Sequence, residues 1–269
     1  MNIKVEKILN LQVERTGGLY AARSSVSSIH LPNNMPKLIS IVTQKGGAGK
    51  STLTMLFSSY LYYELNRETI ILDCDYPQHS IADRRLADQQ SLDDNAELKE
   101  EFVAQGKKAL PIFKLALSEA PEAIRRLKDR NSDDIIFLDL PGTMNQPGYT
   151  GTIAQLDVAI IPIEADELSF SSALMTIEVF AKIIEKTGRP FPIYVIWNRV
   201  NLSEKQEKLE ALQNFIINHT QARNIPVQIL ETKVRQLVAW KNNRSTLKAN
   251  SKVEEIITEL LDKKIFDHE

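Results

Sequence analysis

Two lysines, three glycines and a Ser-Thr pair stand together in Lys45-Gly46-Gly47-Ala48-Gly49-Lys50-Ser51-Thr52. Glycines let backbone N–H groups turn inward with no Cβ in the way, and a helix N-terminus behind them adds partial positive charge. The result is an anion seat. In it Lys50 reaches the β- and γ-phosphates of a nucleotide, and Ser51 offers its hydroxyl to Mg²⁺. Gly46, Gly47, Ala48, Gly49, Lys50, Ser51 and Thr52 are therefore the candidate cofactor-binding set. The ordinary form of such a loop has a glycine where this chain has Gln44.

Phosphate chemistry of this kind also needs carboxylates. Asp73 and Asp75 end the run Thr69-Ile-Ile-Leu-Asp-Cys-Asp, and Asp139 ends Asp134-Ile-Ile-Phe-Leu-Asp. An aspartate closing a buried strand downstream of such a loop holds Mg²⁺, directly or through water. Pro141-Gly142-Thr143 follows as a switch loop, and nothing on Gly142 blocks the approach of its N–H to a γ-phosphate. Either Asp73 or Asp75 would equally serve to cap a following helix.

The elements that must position these residues are legible as hydrophobic pattern. Leu38–Val42, Thr69–Asp75, Ile135–Leu138, Val158–Ile163, Pro192–Trp197 and Ile225–Leu230 read as buried strands. Leu110-Pro-Ile-Phe-Lys-Leu suits an edge strand, where a proline is tolerated. Helical spacing follows the loop to Leu65, and recurs over 122–130, 168–182 and 203–222. Strands alternating with helices predict an α/β fold: a mostly parallel, twisted sheet with helices on both faces and ligand at its carboxyl edge. The last helix repeats Val253, Ile256, Ile257, Leu260 and Leu261, then Ile265. Glu254, Glu255, Glu259 and Asp262 on its polar side suit a core helix better than a membrane-surface one. Arg84-Arg85 and 92–105 read as solvated helix faces. Glu164 and Asp166, at a sheet end, read as a helix start.

Composition sets few limits. A chain of 269 residues with 43% hydrophobic and 25% charged residues suits one α/β domain, or at most two. The formal net charge of −2 does not exclude a nucleic-acid partner if basic residues cluster. Cys74 is the only cysteine, so there is no disulfide or cysteine-held metal within one chain. The expectation is a cytoplasmic protein without a membrane span. Residues 1–36, with Arg15-Thr-Gly-Gly and Ser24-Ser-Val-Ser-Ser, read as an extension, and 37–269 as the domain.

The doubled lysine in Lys-Gly-Gly-x-Gly-Lys-Ser resembles the deviant Walker A loop of the ParA/MinD family of dimerising ATPases. Asp73-Cys74-Asp75-Tyr76-Pro77-Gln78 resembles that family's Asp-x-Asp-Pro-Gln, with Tyr76 inserted, and 70–80 looks most like ParA-type proteins of conjugative mobile elements. The resemblance runs over about residues 37–250. It implies an ATP-dependent homodimer in which Lys45 crosses to the partner's nucleotide. It further implies that Asp75 orients the attacking water, that Asp73 supports the Mg²⁺ shell with Ser51 and Asp139, and that Asn198 reads the adenine edge. A turn-forming asparagine is the alternative for Asn198. The basic stretch with Lys233, Arg235, Lys241, Arg244 and Lys248 resembles the region where ParA proteins hold DNA phosphates without reading sequence. The alternative there is a solvated basic face. A partner protein that stimulates hydrolysis belongs to the same expectation, as does a role in partition or transfer of a plasmid, chromosome or conjugative element.

Related branches separate on chemistry. Iron–sulfur relatives need two cysteines per subunit for a bridging cluster, which this chain lacks. The tail lacks the tyrosines of the bacterial tyrosine kinases. A MinD-like positioning ATPase acting on a protein or membrane, and a small-molecule ligase or kinase like dethiobiotin synthetase, stay open.

Overall fold

Successive residues of a strand face opposite sides of its sheet. Here both sides are apolar, which requires helices on both. The computed structural model describes residues 35–129, 132, 134–201, 205–235 and 245–267. Its strands are β1 (Lys37–Ile41), β2 (Thr69–Asp73), β3 (Ile112–Lys114), β4 (Ile135–Asp139), β5 (Val158–Ile163), β6 (Ile193–Val200) and β7 (Val227–Arg235). They form one seven-stranded sheet in the order β3-β2-β4-β1-β5-β6-β7, and every pairing is parallel. The helices are α1 (Lys50–Tyr63), α2 (Ser80–Asp94), α3 (Ala96–Ala104), α4 (Ala120–Lys128), α5 (Tyr149–Ile153), α6 (Glu167–Thr187), α7 (Gln206–Gln221) and α8 (Glu254–Asp262).

Alternate strand residues divide between two cores. Leu38, Ile136, Leu138, Ile161 and Val195 pack with α4, α5, α6 and α7 on one side. Ile39, Ile41, Ile135, Phe137 and Ile160 pack with α1 and α8 on the other. β1, β2, β4 and β5 lie within this sandwich, with all but Lys37 of their residues buried, which explains their unbroken apolar runs. The short β3 is the edge strand that Pro111 suggested. Ile256, Ile257 and Leu260 of α8 are buried, as expected of a core helix. Among the described residues no helix is long and apolar enough to cross a membrane.

Two expectations need correction. The last strand does not stop at Leu230 but runs to Arg235, so Lys233 and Arg235 lie on a strand. β6 is longer too, and pairs Trp197 with Lys233 and Val200 with Arg235 across two register shifts. The second correction concerns α2. Arg85 and Asp88 are not on a solvated face: Asp88 is buried, and both hold the backbone or hydroxyl of Thr246. Lys241 and Arg244, and residues 1–34 of the extension, lie outside the described residues.

Sheet order also fixes where a ligand goes. The connection leaving β1 runs toward β2, and the one leaving β4 crosses to β5 on the other side. The crevice between two such neighbours at their carboxyl ends is where open α/β sheets bind ligands. The glycine loop follows β1 and the Pro141-Gly142 turn follows β4, so the two face each other there.

Candidate phosphate-binding site

The loop after β1 turns through Gly47 and Gly49, at φ 74° and 89°. At Gly49 a side chain is also sterically excluded, because a Cβ would stand 2.8 Å from the Asn198 amide nitrogen. That amide donates to the Ala48 carbonyl at 2.8 Å. Asn198 is buried and does not line the cavity described below, and it braces the loop from behind. Gly142 closes in from β4: a Cβ there would sit 3.3 Å from both the Gln44 carbonyl and Lys50 Nζ.

These parts surround a cavity of about 650 Å³, lined by Gly49, Lys50, Ser51, Asp75, Gly142 and Arg199 among others. Lys50 is 8% exposed and makes no ion pair among the described residues. Burial lowers its pKa, against the pull of Asp139 and Asp75. A desolvated ammonium with no direct ion pair is held at a cost, which an entering phosphate would remove. Asp139 is its opposite in sign. Burial pushes this carboxyl up to about 7, helped by Asp73 and Asp75 and opposed by Ser51 and Lys50. The Ser51 hydroxyl faces it, yet neither carboxylate oxygen has a hydrogen bond of ordinary distance and angle. Two orphaned carboxylate oxygens beside a hydroxyl are hard oxygen donors that fit Mg²⁺. Among the described residues no three His, Cys, Asp or Glu side chains could hold a metal alone, so phosphate oxygens and water would complete the shell.

Asp75 lines the cavity and is 9% exposed. Burial raises its pKa; Lys50 and His79 work against that and Asp73 adds to it. A carboxylate shifted toward neutrality is better placed to accept a proton from water. Asp73 is engaged differently. Its Oδ1 accepts from the His79 ring at 3.1 Å and from the Asp75 amide at 3.4 Å, and its Oδ2 accepts from the Ala82 amide at 3.1 Å. Fully buried and absent from the cavity wall, it pins the start of α2, as the helix-capping alternative has it. Tyr76 is 68% exposed at the mouth and meets the His79 ring edge-on.

Lys45 does not line the cavity. Its Nζ lies 2.9 Å from Asp166 Oδ2 and 3.4 Å from Glu164 Oε2. Burial opposes its charge, but the Asp166 hydrogen bond and the field of Glu164 outweigh burial and raise its pKa. Asp166 also caps α6, accepting from the Ser169 amide at 2.9 Å. The helix-start reading of Asp166 therefore holds, but sequence reasoning missed its second task. It also missed Arg199, which lines the cavity, has φ 56°, and meets Glu164 at 3.0 Å. A non-glycine residue in that backbone region is uncommon, and nothing in the sequence flags it. Lys233 reaches Gln206 at 2.7 Å, while Arg235 and Lys248 are exposed.

The family model described as the CobQ/CobB/MinD/ParA nucleotide binding domain matches residues 39–247. A search of curated proteins finds no match. Solved structures share the fold at low identity. A plasmid partition protein of Borrelia burgdorferi B31 bound to AMPPNP superposes with a TM-score of 0.55 at 16% identity, covering 86% of this chain and 100% of that one. The ATP complex of a Cyanothece McdA variant gives 0.53 at 17%, covering 86% and 95%. MinD of Aquifex aeolicus gives 0.52 at 18%, covering 87% and 98%.

Proposed function

Since the chain belongs to the CobQ/CobB/MinD/ParA nucleotide-binding family, we propose that it is an ATPase which pairs around ATP, binds DNA without sequence preference, and serves partition or transfer of a plasmid, chromosome or conjugative element. The observation that carries this is the division of labour on one loop. Lys50 lines the cavity, and Lys45 points out of it to Asp166. A lysine turned away from its own chain's phosphates is free to serve those of a second copy.

In this reading the loop amides and Lys50 bind the β- and γ-phosphates, and Ser51 and Asp139 hold Mg²⁺. Mg²⁺, when bound, neutralises charge on the phosphates. Asp75 would orient water, and Gly142, on the cavity wall, would offer its N–H to the γ-phosphate. Lys45 exchanges Asp166 for the partner's nucleotide. Lys233, Arg235 and Lys248, with Lys241 and Arg244, would meet DNA phosphates as point charges.

Sedimentation with Mg²⁺ and a non-hydrolysable ATP analogue tests the pairing; a single-copy species at high protein concentration under all conditions would refute it. Gel shifts of wild type and Asp75→Ala with ATP, ADP or no nucleotide test the DNA step. Binding that needs ATP and persists in Asp75→Ala is expected. ATP-dependent pairing with no DNA binding would favour a MinD-like positioning role on a protein partner.

A further inference from the structure

The buried polar network at Thr246 is used by nothing described so far. Asp88 Oδ2 accepts from the Thr246 amide at 2.6 Å, the Thr246 hydroxyl at 2.8 Å and the Ser245 hydroxyl at 3.4 Å. Asp88 Oδ1 pairs with Arg84 at 2.9 Å. Arg85 donates Nε to the Thr246 hydroxyl at 2.7 Å and its terminal nitrogen to the Thr246 carbonyl at 2.8 Å. Tyr63 donates to the same carbonyl at 3.1 Å. Every polar atom of Thr246, a fully buried residue, is thus engaged, and most of the partners ride on α2.

The other end of α2 is at the nucleotide cavity. Its first residue, Ser80, lines that cavity, as do Asp75, Tyr76, Pro77 and Gln78 just before it. From Ser80 to Asp88 the helix rises about 12 Å. Of its 15 residues only Ile81, Ala82 and Asp88 are buried, so α2 is held chiefly by polar bonds: Asp73 at the Ala82 amide, the Thr246 cluster, and Arg85 at the Leu110 carbonyl, 2.8 Å away. A helix with so small an apolar footing takes its position from its polar bonds, and a buried charged network keeps its register or loses its bonds together. If loop 75–80 adjusts around a phosphate, the Asp88 and Arg85 bonds are the route by which α2 would pass the change to Thr246 and to Lys248, two residues on.

We infer that α2 is the lever joining the phosphate cavity to the basic surface, and that Arg85, Asp88 and Thr246 are its positioning residues. The DNA half of this rests on the function proposed above. Linkage makes the effect reciprocal: whatever factor nucleotide adds to DNA affinity, DNA adds to nucleotide affinity. Couplings of this kind are typically about 5- to 150-fold.

The test reads both ends separately, on the full chain with Mg²⁺ and a non-hydrolysable ATP analogue. Hydrogen exchange at residues 245–248 reports the clamp directly, since the Thr246 amide is one of its bonds. Nucleotide should change that exchange by at least about fivefold in wild type, the lower end of the coupling range. The change should vanish in Thr246→Val, which is isosteric, and in Asp88→Asn, while nucleotide affinity without DNA stays within about twofold of wild type. If one variant fails to fold, the other carries the comparison. The ratio of duplex-DNA affinities with and without nucleotide should fall toward one in both variants. Arg235→Ala should weaken DNA binding in both states and leave the ratio intact. No nucleotide response at 245–248 in wild type, or an unchanged affinity ratio in the variants, overturns the lever. A response at 245–248 with no DNA binding in either state keeps the lever and sinks the DNA reading.

Discussion

Two lysines on one loop live in opposite worlds. Lys50, on the cavity floor, is buried, unpaired and held below its ordinary pKa. Lys45, on the rim, is held by two carboxylates and lies above it. The floor concentrates poorly compensated charge: an ammonium with no direct ion pair, and a carboxyl with no hydrogen bond of ordinary distance and angle. The rim is satisfied, with Lys45 and Arg199 sharing Glu164. Charge held away from water is a cost that a matching ligand lifts, so the floor suits phosphate and a cation. A satisfied ion pair gives up its partner only for something that binds as well. The rim is therefore built to change state and the floor to be filled.

The strongest way to break this contrast is Lys45→Ala. If the rim lysine supplies charge to a partner's transition state, turnover falls by about 10³–10⁵ while ATP affinity stays near wild type. Single-turnover hydrolysis beside equilibrium binding separates the two; normal turnover would return Lys45 to a purely structural pair.

Asp139→Asn tests the floor through pH. The folded carboxyl titrates at about 7 against an ordinary 3.8. Below pH 4 both folded and unfolded chains hold the proton. Between about 4 and 7 only the unfolded chain releases it, so wild-type stability falls with rising pH and then levels off. Relative to Asp139→Asn, wild type should lose on the order of 4 kcal/mol across that window at most. Urea unfolding without Mg²⁺ or nucleotide at pH 5, 6 and 8 measures it. The same variant should lose Mg²⁺-dependent hydrolysis. A stability difference that does not change with pH would mean the carboxylate is compensated.

Lys50→Met removes the floor cation. Loss of charge-assisted bonds to phosphate should weaken ATP binding by roughly 10- to 100-fold. Thermal stability should hold or rise, because a desolvated charge is gone. Titration with a fluorescent ATP analogue, paired with a melting curve, decides; a protein that binds normally does not seat phosphate here. The smallest effect is expected for Asp166→Ala, which removes a helix cap worth about 1 kcal/mol together with the Lys45 pair. A urea midpoint unchanged from wild type would show that the rim is not held by this pair.

Much of the floor was legible in the residues themselves. A glycine loop between a β-branched run and a helix, with an aspartate closing a later strand, names its chemistry because the backbone path and the functional groups are local. The strands were legible for a related reason: a sheet covered on both faces needs unbroken apolar runs, and those appear in sequence. What eluded the sequence was the use made of each polar group. Asp73 and Asp75 look alike two residues apart, yet one faces the cavity and the other pins α2, since strand residues of like parity can still diverge once the strand ends. Asn198 braces Ala48 from 150 positions away.

The sequence alone determined the sheet, the loop and the kinds of atoms offered to a phosphate, because periodicity and spacing are properties of the chain. Only the tertiary structure decided which lysine was left without a direct ion pair, which carboxyl without an ordinary hydrogen bond, and that α2 grips Thr246. Those outcomes depend on burial and on partners distant in sequence, and the free energy of a charge is set by its surroundings more than by its neighbours in the chain.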